Sequence, residues 1–333
     1  MMLAAAFLVI ALALIGLWKV PQLQIQNYQR RYPALSPADL LKAENDFRAT
    51  LAQILGGAAL LAGLYFTART LVLQQEGQLT DRISKAVEQL GSERPDISLG
   101  GIYQLARIAR DSDRDHWAMM QVLMSYTERH AALPAVSIVA LQKQCDPNQY
   151  YDRSETPDYN VQAVVNVIRT RDAEKESSDQ RVSIVHTNLR HIDMSQANLR
   201  GAQLIGNDMG GAVLINAALD GNARLSFSLL NNANLTKANL SDAHLEHTCL
   251  VRAQLTGTDF SRAHLEQADL RNVVDAEGAD FSAAVLDGAD LRGAELQKAR
   301  GLVVGQVAEA KLDCNTQLPP YLAKQQSKAK CDE

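Results

Sequence analysis

The sequence predicts an α plus all-β solenoid architecture: two transmembrane helices, a small helical domain, then a four-sided coil of about six circuits stacked at the inter-strand spacing. Three observations predict it. Two apolar stretches, Met1 to Trp18 and Ala49 to Ala68, are each long enough to cross a bilayer. Apolar residues recur at helical spacing from Leu71 to about Thr170, and a large apolar residue then recurs every five positions from residue 182 to residue 300. The chain has 333 residues, 47% of them apolar and 21% charged, so it is long enough for several folded units and too apolar to be disordered. Its net charge of −5 argues against a general attraction to nucleic acid.

The first stretch ends at Lys19 and the second lies between Arg48 and Arg69. A 20-residue helix rises about 30 Å, the thickness of the hydrocarbon core. No basic segment precedes the first stretch and no A-x-A site follows it, which disfavours a cleaved signal peptide. Small residues four apart, Ala52/Gly56 and Ala59/Gly63, would let a second helix approach closely. The expectation is a transmembrane hairpin: helix 1 over 1–20, a loop over 21–48 and helix 2 over 49–70.

The helical domain spans 71–170. Ile83, Val87 and Leu90 form one stripe, with Gly91 as its stop; Ile102, Leu105, Ile108 and Ala109 form a second. Trp117, Met120, Leu123 and Met124 form a third, and Val161, Val164, Val165 and Ile168 a fourth. Asp111-Ser112-Asp113 supplies N-cap chemistry between the second and third. Met119, Met120 and Met124 are read as core rather than as an adaptable binding surface. Gln144 to Asp158 is turn-rich and expected to be a loop; 171–181 is charged, aperiodic and expected to be a linker.

From Ile184 the central residues run at a spacing of five to Leu219, resume after a one-residue slip near Asn222 at Leu225, and continue to Leu270. After a second slip around Val274 to Gly278 they run from Phe281 to Leu296. All 22 are Leu, Ile, Met or Phe, and 15 of the residues two places before them are Ala. Five residues advance an α-helix by about 500°, scattering the leucines around it, and residues five apart on a straight strand face opposite ways. The period therefore demands a corner about every five residues, with each central side chain pointing at one axis. Leu199, Leu204, Leu235, Leu240, Leu245, Leu265, Leu270 and Leu291 are among the inward positions so assigned. Residues 301–333 are expected to cap the coil and trail off.

Ala-Asn-Leu-Arg-Gly (197–201), Ala-Asn-Leu-Ser-Asp (238–242) and Ala-Asp-Leu-Arg-Gly (289–293) resemble the pentapeptide-repeat family. The resemblance implies that residues 182–300 form a right-handed quadrilateral β-helix. Residues 99–112, followed by Asp115-His116, are similar to a bacterial subgroup with two membrane spans before the repeats. The resemblance implies interaction or scaffolding roles, no assigned catalysis, and a repeat domain on the cytoplasmic side of the bacterial inner membrane.

No GxGxxG, P-loop, HExxH, GxSxG or Cys/His metal spacing is present. Cys145, Cys249, Cys314 and Cys331 include no CxxC pair, which argues against a zinc knuckle or a disulfide framework and fits a reducing compartment. His244 and Glu246 lie 20 residues before His264 and Glu266, one circuit of the coil, so like stacks on like. Two imidazoles and a carboxylate suit a divalent metal, but an exposed ladder needs none, and the expectation is a surface interaction ladder without metal, cofactor or catalysis.

The function expected is a membrane-anchored, non-catalytic scaffold or protein-interaction module that presents the β-helix. Its partners are the lipid bilayer and a protein, with no nucleic acid and no small-molecule substrate. The alternatives are a DNA mimic that shields a topoisomerase and a metal-dependent enzyme. Residues 182–300 hold 14 Asp/Glu against 10 Lys/Arg, too mixed a charge to imitate a phosphate backbone. Basic residues divide unevenly about the second stretch: Lys19, Arg30, Arg31, Lys42 and Arg48 before it, Arg69, Arg82 and Lys85 after it. That asymmetry favours an exported C-terminal part; the family resemblance implies a cytoplasmic one, which is the expectation adopted.

Overall fold

The computed structural model describes residues 2–32, 36–134, 145 and 157–326. The loop expected at 144–158 falls largely outside them, as does Cys331. The chain divides into two units, Met1–Asp81 and Arg82–Glu333.

In the first unit, α1 (Met2–Arg31) carries Pro21 in its interior, and α2 (Pro37–Leu90) begins and runs on into the second unit. Ser36 caps α2: its hydroxyl accepts from the Asp39 amide at 3.3 Å and donates to the Asp39 carboxylate at 2.7 Å. Along the apolar part of α2, Thr67 and Thr70 donate their hydroxyls to the Gly63 and Phe66 carbonyls, each at 2.8 Å, so neither presents an unpaired polar group. Among the described residues α2 alone is long and apolar enough to cross a membrane. The expected pair of transmembrane helices is therefore corrected to one candidate span. Most of the expected 21–48 loop is helix, shared between α1 and α2.

In the second unit the end of α2 meets α3 (Pro95–Asp111), α4 (Asp113–His130) and α5 (Tyr159–Arg169). Their stripes bury Ile102, Leu105, Met120, Leu123, Val161 and Val164, with Met119 and Met124 beside them. Gly101 sets the approach of α3 to α2, since a Cβ there would lie 2.5 Å from the Leu90 amide nitrogen. Ser112 caps α4 by accepting from the Asp115 amide at 3.2 Å. The charged stretch after α5 is fastened, not free. Arg171 donates to both oxygens of Glu176 at 2.6 and 3.1 Å, and the buried His116 holds Glu176 through Nε2 at 3.3 Å. Lys175 reaches the Arg110 carbonyl at 2.6 Å.

From Val182 onward the chain is a stack of turns. After every central residue from Ile184 to Leu291 comes a four-residue turn whose third residue has positive φ, between 53° and 69°. Leu225 is typical: the Ser228 amide donates to its carbonyl at 3.1 Å and Phe227 sits at φ 64°. A left-handed third residue after an ordinary second one is the type II arrangement. From Ser183 to Lys311 successive circuits meet through parallel bridges between residues 20 apart, as in His244↔His264, or 21 apart where an extra residue is absorbed, as in Gln203↔Arg224. At the first slip Gly221 and Asn222 both have positive φ, 67° and 62°, so the extra residue is taken up inside one corner.

These bridges are isolated, and among the described residues there is no β-strand and no sheet. The expected all-β solenoid, with its right-handed quadrilateral β-helix of about six coils, is corrected accordingly. Each five-residue side spends two residues on a corner and leaves one bridging residue, whereas an ordinary strand takes about five or six. The expected scaffold presenting a β-helix falls with it.

The central side chains are buried, Leu199, Leu204, Leu235, Leu240, Leu245, Leu265, Leu270 and Leu291 among them. Where the residue two places earlier is not Ala, it is often a hydrogen-bonding group aimed at a carbonyl. Thr187, Asn207, Ser228 and Thr248 lie one above another on successive circuits. Asn207 accepts from the Thr187 hydroxyl at 2.9 Å and donates to the Ile184 carbonyl at 2.7 Å; Ser228 donates to the Leu204 carbonyl at 2.7 Å, Thr248 to the Leu225 carbonyl at 3.1 Å. Both ends of the stack are paired. Leu133 donates to the His186 carbonyl at 2.8 Å, and at the far end Gln306 of α6 (Val304–Ala308) donates to the Phe281 and Ala284 carbonyls, each at 2.8 Å.

Leu245→Asp puts an unpaired charge where the wild-type side chain is fully buried. We expect a loss of several kcal/mol and of cooperative unfolding, read by thermal melts of the full chain in detergent. A melt superimposable on the wild type would contradict the assignment of Leu245 to the interior.

Candidate functional site

The ladder on the outer surface is built by the turn period itself. His244 and His264 are bridge residues of successive circuits, preceded in their column by Arg224 and followed by Val285. Glu246 and Glu266 each open the corner two residues later. The two imidazoles stack with centroids 4.8 Å apart and planes 6° from parallel, the separation of neighbouring circuits. His244 Nδ1 lies 2.9 Å from Glu246 Oε1, and His264 Nδ1 lies 3.3 Å from Glu266 Oε1. The Ser226 hydroxyl donates to the other Glu246 oxygen at 2.6 Å. Partial burial works to raise the Glu246 pKa, but the hydrogen bonds from Ser226 and His244 outweigh it and hold the carboxyl below its ordinary value. His247 is turned away from this group and stacks on Phe227 at 4.9 Å.

One ligand atom from each of His244, Glu246 and His264 falls within 4.8 Å of the others, the beginnings of a metal cluster. The ring geometry works against it. A zinc ion lies about 2.0–2.1 Å from a histidine nitrogen. The coordinating lone pairs lie in the ring planes, so two planes stacked face to face at 4.8 Å do not converge on one ion. One ring would have to leave the stack. In the arrangement seen, each imidazole holds a carboxylate, and the chemistry available is proton binding on an open surface. Among the described residues, concavities lie elsewhere. One is an apolar gap between α5 and the first circuits, lined by Val165, Ile168, Met194 and Leu204. Another is an open cleft beside Arg171, Arg181, Asn198 and Arg200.

The rest of the outer surface carries acid–base pairs. Arg262 grips Asp242 at 2.6 and 2.7 Å, Arg271 holds Asp269 at 2.7 Å, and Arg292 holds Asp290 at 2.7 Å. They interrupt the continuous negative strip that imitation of DNA needs.

A connection the sequence does not signal lies on the same stack. Cys145 is disulfide-bonded to Cys249, with Cα atoms 5.6 Å apart across a sequence separation of 104 residues. Cys314 is disulfide-bonded too, and among the described residues no cysteine is free. The expectation of unpaired thiols is thus corrected. Cys249 occupies a bridge position between Leu229 and Asp269, and Leu229 packs with the cysteine pair.

Compared with known proteins, the chain matches a family model of pentapeptide repeats, in eight copies, over residues 183–221, 221–257, 248–274 and 274–300. No curated protein matches it. Among solved structures it is similar to HetL, a pentapeptide repeat protein involved in heterocyst differentiation regulation in the cyanobacterium Nostoc sp. strain PCC 7120. That likeness is 28% identical over 39% of this chain and 63% of HetL, with a TM-score of 0.17. It is 17% identical to QnrB1, a plasmid-mediated fluoroquinolone resistance protein, over 44% of this chain and 86% of that one, with a TM-score of 0.24. A pentapeptide repeat protein of the Arabidopsis thaliana thylakoid lumen is 22% identical over 33% and 62% of the two chains, with a TM-score of 0.13. The chain thus spans less than two thirds of HetL. The family match stops at the turn stack, and with one candidate span the resemblance to a two-span bacterial subgroup is corrected. With one candidate span among the described residues, placement in a bacterial inner membrane with two spans does not stand.

Two outcomes follow from the ladder. A carboxyl with a depressed folded-state pKa contributes stability that is present above its unfolded pKa and lost as pH falls through the folded one. Glu246→Gln should therefore lower stability by no more than about 1 kcal/mol at neutral pH, a gap that closes in acid below the ordinary carboxylate range. Denaturant melts from pH 3 to pH 8 check it; a gap that widens in acid would contradict the assignment. Elemental analysis of untagged protein should show no stoichiometric zinc or iron. Metal lost on replacing His244 and His264 together by Ala would overturn the geometric argument.

Proposed function

We propose that this chain works by binding rather than by turnover, that a lipid bilayer is one partner and that a protein is the other. The observation that carries the first partner is the bareness of α2. Ile54, Leu60, Leu61, Leu64, Tyr65 and Phe66 are all exposed, Leu60 to 72%, and at about 100° per residue they point to every side of the helix. A surface helix of a water-soluble protein shows one apolar stripe; a helix apolar all round needs an apolar medium. None of the most apolar part of α2 is buried by the rest of the chain, and threonine hydroxyls there are returned to the helix's own carbonyls.

For the second partner the support is the stack's broad outer surface. It offers partly exposed polar ladders such as His244–His264 and Ser226–Glu246, set on a rigid apolar interior, and the ladder itself is not enclosed in a reaction cleft. No nucleic acid is among the partners proposed, given the acid–base pairing of the outer surface. The proposal needs no cofactor.

Flotation of the purified full chain with neutral phosphatidylcholine vesicles tests the bilayer. Wild type should float and resist alkaline carbonate extraction. Leu60→Arg/Leu64→Arg should lose most of the floating fraction, since each arginine at a span centre costs about 2.5–3.5 kcal/mol. Wild type that remains monodisperse in water without detergent and does not float would overturn the reading.

A further inference from the structure

We propose that Cys145 and Cys249 are a site of oxidative cross-linking, closed on the far side of the bilayer from residues 19–48, so that Arg82–Glu333 works in an oxidising compartment. The inference rests on the bilayer reading of α2. Two observations of different kinds converge on it.

The first is the state and seating of the sulfurs. Cys249 is fully buried on the stack and bonded to Cys145, and Leu229 packs against the pair. The partner strand of chain is held there by more than sulfur. Arg271 donates to the Cys145 carbonyl at 3.0 Å while its guanidinium is clamped on Asp269 at 2.7 and 3.0 Å. Cys314, toward the other end of the stack, is oxidised independently. Disulfides persist in oxidising compartments and are rare where glutathione and thioredoxin keep thiols reduced. Two separate disulfides in one unit are thus a statement about its surroundings.

The second is charge. Lys19, Arg30, Arg31, Lys42 and Arg48 precede the apolar part of α2, against Arg69, Arg82 and Lys85 after it. The side richer in Lys and Arg is retained on the side of synthesis. With a single span, the excess leaves residues 82–333 exported. The cytoplasmic placement implied by the family resemblance is reversed.

Chemically, one cysteine thiolate attacks the disulfide of a thiol–disulfide oxidant, forming a mixed disulfide and releasing one oxidant thiolate. The second cysteine thiolate then attacks the protein sulfur of that bond. The Cys145–Cys249 bond forms, the oxidant leaves as a dithiol, and it carries away the two electrons and two protons the thiols gave up.

Cells producing the full chain are quenched in acid and alkylated with a mass-tagging maleimide, with and without prior reduction. Wild type should take up no tag at Cys145 or Cys249 unless reduced first, and peptide mass spectrometry should recover the two as one linked peptide. In Cys249→Ser, a membrane-impermeant maleimide should label Cys145 in intact spheroplasts before permeabilisation. Wild type that resists carbonate extraction yet carries both residues as thiols in the cell overturns this inference and leaves the bilayer reading intact. Labelling of Cys145 only after permeabilisation overturns it as well. Wild type that is carbonate-extractable defeats the bilayer reading instead, and this inference with it.

Discussion

Everything in the C-terminal part of this protein depends on a left-handed corner repeated every five residues. A non-glycine residue in that conformation costs about 1–3 kcal/mol, and Phe227, Lys237, Arg252 and Arg262 all adopt it. Such a corner persists only where the surroundings over-determine it. Here the opposing term is the burial of the central side chain two residues before, about 1.5–3 kcal/mol for a leucine. The amide of the central residue is bonded to the next circuit as well: Leu245 donates to the His264 carbonyl at 2.7 Å. The two terms are of the same order, so no single corner is self-sufficient. Cooperativity between circuits is what makes the stack stable.

The constraint explains what the outer surface can hold. Since each circuit returns after 20 or 21 residues, side chains on the surface are forced into columns whose successive members lie about 4.8 Å apart. Histidines in such a column stack face to face, and acids and bases in one pair along it, as Arg262 with Asp242. The same regularity makes the surface a poor place for catalysis and a good one for recognition, because it provides rigid, repeated polar groups without a water-excluding pocket.

Local pattern made much of this legible. The stripes that became α3, α4 and α5 were readable at helical spacing, and Ser112 announced itself as a cap by its place between two stripes. The five-residue period identified the buried series from Ile184 to Leu296. What the sequence did not show is of two kinds. Pairings across long separations, Cys145 with Cys249 and His116 with Glu176, depend on which circuits and helices come to lie together, and no local spacing records that. The other kind is the backbone's choice between a strand and a turn. A five-residue side reads as β from its stacking logic, yet after the corner is made each side keeps only one bridging residue. The polar column of Thr187, Asn207, Ser228 and Thr248 was visible only as exceptions to alanine; a hydroxyl or amide every 20 or 21 residues was the missed signal. In the first unit, apolar length at 1–20 suggested a second span, while the described helices place one apolar segment inside a 54-residue helix.

Amide hydrogen exchange across residues 184–296 of the full chain in detergent tests the corner most directly. In a typical five, the central residue, the left-handed residue after it, the next inward residue and the bridge residue donate to backbone carbonyls, as Leu245, His247, Thr248 and Cys249 do. The residue that opens the corner, Glu246 or Glu266, donates to no backbone carbonyl among the described residues. Exchange should therefore be fast at Glu246 and Glu266 and slow at the residues around them. It should be slower than at those glutamates at corner-opening residues such as Ser241 and Ser261, whose amides donate to the Asn239 and Asp259 side chains. Uniformly fast exchange, or protection with the 3.6-residue period of an amphipathic helix, would contradict the account.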